Sequence, residues 1–94
     1  MPGLVRLGDY CSGHDGYPPR PGIEASNNVF INGRGVHRRG DRWDTHCNSH
    51  NCHGGYLMEG SSTIFINGIP AGQVGDRISC GSTASNGSGN VFGG

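Results

Sequence analysis

Hydrophobic residues in this chain fall in short runs that end at turn dipeptides, and the same run occurs twice. Val29 to Gly33 reads Val-Phe-Ile-Asn-Gly, and Ile64 to Gly68 reads Ile-Phe-Ile-Asn-Gly. β-Branched and aromatic residues favour strands, and Asn-Gly favours a hairpin turn with positive φ at both central residues. The pattern predicts two hairpins, with return strands over Gly35–Arg39 and Ala71–Val74. No stretch keeps a 3.6-residue apolar period over three turns, so almost no helix is expected.

Fragments of the same unit occur at the two ends of the chain. Leu4 to Asp9 resembles a return strand with its Gly-Asp turn, and Asn90 to Phe92 resembles an outgoing strand. Pairing the ends would complete a third hairpin and remove an exposed edge strand at each terminus. The alternative is an open two-repeat ribbon with frayed ends. We favour closure, and expect one all-β domain over residues 1–94, with three similar hairpin units around a pseudo-threefold axis, closed by pairing of the terminal strands.

The composition makes an ordinary hydrophobic core difficult to build. Only 32% of the 94 residues are hydrophobic, while 19 are Gly and 5 are Pro. A small chain with so little core usually needs disulfides, a metal or a partner, and 4 Cys and 5 His are available for the first two. The net charge is zero and no long basic run is present, which argues against nucleic acid as the main partner.

The first residues lack the apolar stretch of a signal peptide, and no segment is long and apolar enough to span a membrane. We therefore expect synthesis in a reducing cytoplasm, where Cys residues more often bind metal or stay free than form disulfides. Export would need a route without an N-terminal signal. Because the sequence ends at Val91-Phe92-Gly93-Gly94, no attached toxin domain is expected.

A candidate metal ligand follows each Gly-Asp turn. His14 and His46 lie five residues after the first two aspartates, and Cys80 lies four residues after the third. Under pseudo-threefold symmetry these side chains would converge on the central axis, and His53 is the natural fourth ligand. Three nitrogen donors and one sulfur suit tetrahedral Zn²⁺, with iron as a competitor.

Other arrangements of the Cys residues remain open. His46, Cys47, Cys52 and His53 could form a local zinc knuckle. A disulfide between Cys47 and Cys52 is a further alternative, and it is compatible with the axial site because neither residue is one of its ligands. Cys11 is expected to be a small buried or free thiol.

Several remaining features favour structural roles. The aspartates of the Gly-Asp turns are expected to cap their turns by accepting backbone N–H bonds, rather than to act in catalysis. Trp43 and Tyr56 are expected to pack over the His/Cys cluster, and His37 to lie on the surface or in packing. The segment 17–21, Tyr-Pro-Pro-Arg-Pro, predicts a stiff extended loop, and the Gly/Ser/Asn-rich segment 82–89 predicts a flexible linker.

Taken together, the repeated motifs resemble the PAAR-repeat proteins. The shared features are Ser-x-x-Val/Ile-Phe-Ile-Asn-Gly, a short variable return strand, and Gly-Asp leading to His or Cys-Gly, over Gly8 to Phe92. The motif Pro-Ala-Ala-Arg itself is imperfect: residues 69–73 approximate it and residues 34–38 depart from it. The resemblance implies a small pseudo-threefold cone of folded-back β-hairpins, closed by its terminal strands, with a metal held near the apex by three His and one Cys. Carried over to this chain, those ligands are His14, His46, His53 and Cys80.

The resemblance also implies a function, because PAAR-repeat proteins cap the central spike of type VI secretion systems and tailed-phage baseplates. We expect a non-enzymatic, zinc-stabilised tip whose broad base sits on a trimeric β-helical spike protein, either VgrG-like or a phage needle. Such a tip would pierce a target membrane and could attach effectors. It would be made in the cytoplasm and delivered on the spike, or carried in a virion tail. The alternatives are a freestanding zinc-binding adaptor module and, less favoured, a zinc hydrolase with Asp9 or Asp41 as base.

Overall fold

The computed structural model describes residues 2–93, a range that contains short β-strands and no helix. The strands pair in antiparallel two-stranded sheets: β1 (Phe30–Ile31) with β2 (Arg34–Gly35), β3 (Arg42–Cys47) with β4 (Cys52–Tyr56), and β5 (Phe65–Ile66) with β6 (Ile69–Pro70). The prediction of an all-β fold of small hairpins is confirmed. Across residues 2–93, no helix meets the length and apolarity that a membrane span requires.

Asn-Gly turns close the two predicted hairpins. Asn32 and Gly33 have φ values of 55° and 78°, and Asn67 and Gly68 have 56° and 80°. Positive φ at both central positions defines the type I′ turn, which Asn and Gly tolerate better than other residues. Both return strands lie earlier in the chain than predicted: β2 covers Arg34–Gly35 and β6 covers Ile69–Pro70. The predicted residues 36–38 and 71–73 instead leave their own hairpins and pair with neighbouring units.

The two ends of the chain meet and form a third hairpin. Gly3 pairs with Phe92, and the Leu4 N–H donates to the Val91 carbonyl at 3.0 Å. The two complete hairpins make the corresponding bond at 3.0 and 2.9 Å. The prediction of closure is therefore confirmed, and the open ribbon is wrong.

The return segments of the three units form a closed ring. Residues 4–6, 36–38 and 71–73 pair in a cycle: Arg6 with Val36, Arg38 with Ala71, and Gln73 with Leu4. Three further backbone bonds also run in a cycle, from the His37 N–H to the Val5 carbonyl at 2.9 Å, from Val5 to Gly72 at 2.8 Å, and from Gly72 to His37 at 2.8 Å. Each segment donates one of these bonds and accepts one, so the ring satisfies its backbone groups without a continuous sheet.

The hydrophobic core is small and divided into two clusters. Leu4, Val36 and Ala71, which occupy equivalent positions in the three units, form one cluster. The other has no such symmetry and comprises Val5, Cys11, Trp43, Leu57, Ile78 and Ala84. Because so little apolar volume is available, we infer that the ring and the turns carry much of the stability.

Each Gly-Asp turn is capped by its own carboxylate, which accepts the N–H of the residue three positions earlier. These bonds measure 2.8, 3.0 and 2.8 Å at Asp9, Asp41 and Asp76. For Asp9 the earlier residue is Arg6, and for Asp41 it is Arg38. The guanidinium of each arginine also pairs with the same carboxylate at 2.9 Å. The structural role predicted for these aspartates is confirmed.

The segment 82–89 was predicted to be a flexible linker, and that prediction is wrong. Ser82, Ala84 and Ser88 are buried. The Ser88 hydroxyl accepts the Val91 N–H at 3.0 Å, a bond that Ser26 and Ser61 repeat in the other units. Small residues are needed here because the segment packs against other backbone, and not because it must flex.

Candidate metal centre

Three loops leave the Gly-Asp turns and bring the predicted ligands to one place. Residues 10–21 supply His14, residues 42–56 supply His46 and His53, and residues 77–83 supply Cys80. The ligand atoms of these four side chains all lie within 4.8 Å of one another, so the group could hold a metal ion. Side chains from distant parts of the chain thus converge as the symmetry argument predicted.

A β-bulge in β3 aims His46 into the cluster. Trp43 pairs with Gly55 and His46 pairs with His53, so β3 has one more residue than β4 between the two pairs. In a regular strand, residues three apart face opposite sides of the sheet. The extra residue turns both Trp43 and His46 inward, where they are 1% and 3% exposed. The sequence analysis did not predict this bulge.

The ring orientation of His46 is set by the backbone. With its proton on Nδ1, His46 donates to the Pro18 carbonyl at 2.8 Å and presents the lone pair of Nε2 to the cluster. That Nε2 lies 2.7 Å from Nε2 of His53 and 3.9 Å from Sγ of Cys80. His14 Nε2 lies 3.1 Å from Nε2 of His53. Tetrahedral zinc with these donors places neighbouring ligand atoms about 3.3–3.6 Å apart, so the observed separations fall on both sides of that spacing.

The surroundings of His46 and His53 favour their neutral forms. Burial lowers the pKa of His46, and the positive charges of Arg20, His53 and His14 lower it further. Loss of hydration likewise lowers the pKa of His53, assisted by the charges of His14 and Arg20. A neutral imidazole is the form that binds a metal. The donor set of three imidazoles and one thiol therefore suits Zn²⁺ or iron in its chemistry.

Tyr17 covers the imidazoles, a role that the sequence analysis missed. Its ring centroid lies 4.8, 4.8 and 4.1 Å from those of His14, His46 and His53. Tyr56, which was predicted to pack over the cluster, is instead 52% exposed. The sequence feature that could have indicated the role of Tyr17 is the position of this aromatic residue in the proline-rich loop, three residues after His14.

Arg20 was also missed, although it contacts one of the candidate ligands. The side chain is buried, and it donates to Sγ of Cys80 at 3.3 Å, to Sγ of Cys11 at 3.1 Å and to the Asp44 carbonyl at 2.6 Å. Burial opposes ionisation of Cys11, but hydrogen bonds from Ser82 and Arg20 outweigh it and lower the pKa of the thiol. Arg20 thereby links the candidate site to the core.

The remaining Cys residues and His37 have defined places. Cys47 and Cys52 form a disulfide, so in this form of the protein neither sulfur is available to a local zinc knuckle. Cys11 is a buried free thiol, as predicted. His37 is fully buried, packs edge-on against Trp43 with ring centroids 4.8 Å apart, and bonds through Nδ1 to a backbone carbonyl at 2.8 Å.

Comparison with known proteins agrees with this geometry. Residues 12–86 match the family described as the PAAR motif. The chain belongs to the PAAR motif family. The matched region contains all four candidate ligands and both complete hairpins, while most of the third hairpin lies outside it. The family resemblance seen in the sequence is confirmed.

Two relatives of this PAAR chain are toxins of Pseudomonas aeruginosa. They are the NAD(P)(+) glycohydrolase toxin Tse6 and the (p)ppApp synthetase toxin Tas1. Each is 33% identical over 76 residues, an alignment that covers 74% of this chain. The same alignments cover 18% and 17% of the relatives, so the chain spans less than a fifth of the length of the proteins it matches.

Proposed function

We propose that this PAAR protein is a non-enzymatic, metal-stabilised tip that caps the trimeric β-helical spike of a contractile injection machine. The machine would be a type VI secretion system or a phage tail, and the tip would sharpen the spike for membrane piercing. The toxin names of the two relatives support a further role in attaching effectors. Made in the cytoplasm, the protein would be delivered on the spike outside the cell or into a target cell.

The observation that carries this proposal is the threefold repetition of an exposed aromatic face. Phe30, Phe65 and Phe92 begin the hairpins of the three units and are 60%, 55% and 47% exposed. Apolar side chains repeated about a pseudo-threefold axis are complementary to the end of a true trimer. The face therefore supports docking on a VgrG-like spike protein or a phage needle.

The path of the chain separates the exposed aromatic face from the candidate metal centre. In each unit the chain runs from the hairpin through the ring to the Gly-Asp turn, and only then enters the loop that carries a ligand. The molecule is elongated, with extents of 38 × 24 × 20 Å. This arrangement supports a docking surface at one end and a metal site at the other.

We propose that His14, His46, His53 and Cys80 hold Zn²⁺, with iron as the competing ion. Because three separate loops contribute donors, a bound ion would tie together an end of the molecule that has little apolar volume to pack. Four protein donors complete a tetrahedral site, whereas a catalytic zinc keeps one position for water. The donor count therefore supports the structural role over the zinc hydrolase alternative.

Binding to a purified trimeric β-helical spike protein tests the docking face. We expect one PAAR chain per trimer, measured by size-exclusion chromatography with light scattering. Phe65→Ser should weaken binding by about tenfold or more, because burying a phenylalanine side chain contributes roughly 1.5–3 kcal/mol. Tyr56→Ser is the matched control, because Tyr56 is comparably exposed but belongs to the ligand-bearing hairpin. Equal effects of the two substitutions, or no effect of Phe65→Ser, would contradict the proposal.

A further inference from the structure

A disulfide lies directly beside the two candidate ligands of the β3–β4 hairpin. Cys47 and Cys52 form the register pair next to His46 and His53, with their Cα atoms 4.0 Å apart. Neighbouring residues of a strand face opposite sides, so the imidazoles point into the cluster while both Cys residues are exposed on the outer side. A reductant in solution can therefore reach the disulfide.

The tip of this hairpin has few other contacts that hold its two strands together. Most of its residues are exposed, and the turn is closed by local bonds. The Asn48 N–H donates to the Asn51 carbonyl at 2.9 Å, and Asn48 Oδ1 accepts the N–H groups of His50 and Asn51 at 2.8 Å each. One long bond of 3.3 Å connects Asn48 to the Asp15 carbonyl. Two-stranded hairpins are marginally stable in water, so the disulfide is a principal constraint on the register at this end.

We propose that the Cys47–Cys52 disulfide positions His46 and His53 for metal binding and so makes metal affinity depend on redox state. This inference rests on the metal site proposed above. In the oxidised protein the two imidazoles are held opposite each other before the metal arrives. In the reduced protein the same four donors remain, but binding must also order the end of the hairpin.

The redox step is an ordinary thiol–disulfide exchange with a dithiol reductant. The dithiol supplies two electrons, the bond between the sulfurs of Cys47 and Cys52 breaks, and each sulfur ends as a protonated thiol. The reductant closes into its own disulfide. Because the link closes a loop that spans only residues 47–52, its chain-entropy effect corresponds to a change of roughly tenfold to thirtyfold in affinity.

Zinc affinity, measured by chelator competition on the full chain, tests the proposal. The samples are the oxidised protein, protein reduced with a dithiol and then freed of it under anaerobic conditions, and a Cys47→Ser/Cys52→Ser variant. We expect the oxidised protein to bind Zn²⁺ about tenfold or more tightly than the reduced protein, and the variant to match the reduced protein. His50→Ala, which alters the same exposed turn but leaves the disulfide, should keep the tight affinity and the redox response.

Cobalt absorption spectra distinguish positioning from a change of ligands. We expect the sulfur-to-cobalt band to be the same in both redox states, because Cys80 supplies the sulfur in each. Equal zinc affinity in the two states would overturn the inference and leave the metal site standing. Tighter binding or a stronger sulfur band on reduction would also overturn it, since the freed thiols would then be ligands. Absence of zinc binding in the oxidised protein would instead refute the proposed metal site itself.

Discussion

Pairing of the two chain ends into the third hairpin has a direct consequence for Gly3. A Cβ added at this position would collide with the Ser88 carbonyl oxygen across the seam between the two ends. Gly35, the equivalent residue in the hairpin of β1 and β2, faces the Ser26 carbonyl oxygen in the same way. Both obstructing atoms belong to the backbone, so a methyl group can be accommodated only if the backbone around the hairpin shifts.

The expected size of the effect follows from this contact. Overpacking that forces backbone movement costs about 1–3 kcal/mol. For a domain of this length, each kcal/mol lowers Tm by roughly 4–8 °C. Gly3→Ala should therefore lower Tm by roughly 5–20 °C, and Gly35→Ala should lower it by a similar amount.

Thermal unfolding followed by circular dichroism on zinc-loaded protein measures both variants. Gly89→Ala is the matched control, because Gly89 lies in the same closing unit and a Cβ there would meet no atom within 4 Å. Its Tm should stay close to that of the wild type. If Gly3→Ala proved as harmless as Gly89→Ala while Gly35→Ala was destabilising, the ends could not be packed as described.

Two further predictions concern the charged and titrating groups around the ring. Asp9 is fully buried and pairs with Arg6 and Arg34, so Asp9→Ala should cost about 3–5 kcal/mol in urea unfolding. Asp76→Ala should cost less, since no arginine pairs with that carboxylate among residues 2–93, and equal losses would contradict this reasoning. The pKa of His37 is lowered from 6.5, mainly by burial. The neutral His37 side chain therefore stabilises the fold fully above about pH 6.5, and this stabilisation is lost as the pH falls toward the pKa of His37 in the folded state. In metal-free protein, His37→Gln should be less stable at neutral pH and should lose less further stability below pH 6.5, and an unchanged slope would count against this assignment.

The local parts of the fold could be predicted because their causes are local. Asn32-Gly33 and Asn67-Gly68 specify type I′ turns through the positive φ that these residues tolerate. The third hairpin was predictable because the missing halves at the two termini are complementary. Similar spacing from the Gly-Asp turns predicted that His14, His46 and Cys80 converge.

Features that depend on contacts between units could not be read from the sequence. The return strands were predicted too far along the chain, because residues 36–38 and 71–73 pair with neighbouring units in the ring. The bulge between Trp43 and His46 reflects packing of both side chains, and no residue in β3 signals it. Tyr17 and Arg20 lie in a loop that proline makes extended, and only the folded structure shows that this loop crosses the candidate metal centre.

The most direct test of the proposed metal-stabilised tip is the metal content of the purified protein. Elemental analysis measures it on the wild type and on Cys80→Ala. We predict about one zinc or iron ion per chain in the wild type and a marked loss in the variant, because Cys80 belongs to a donor set drawn from three loops. A wild-type protein without bound metal, or a Cys80→Ala variant that keeps its full metal content, would contradict the proposed centre.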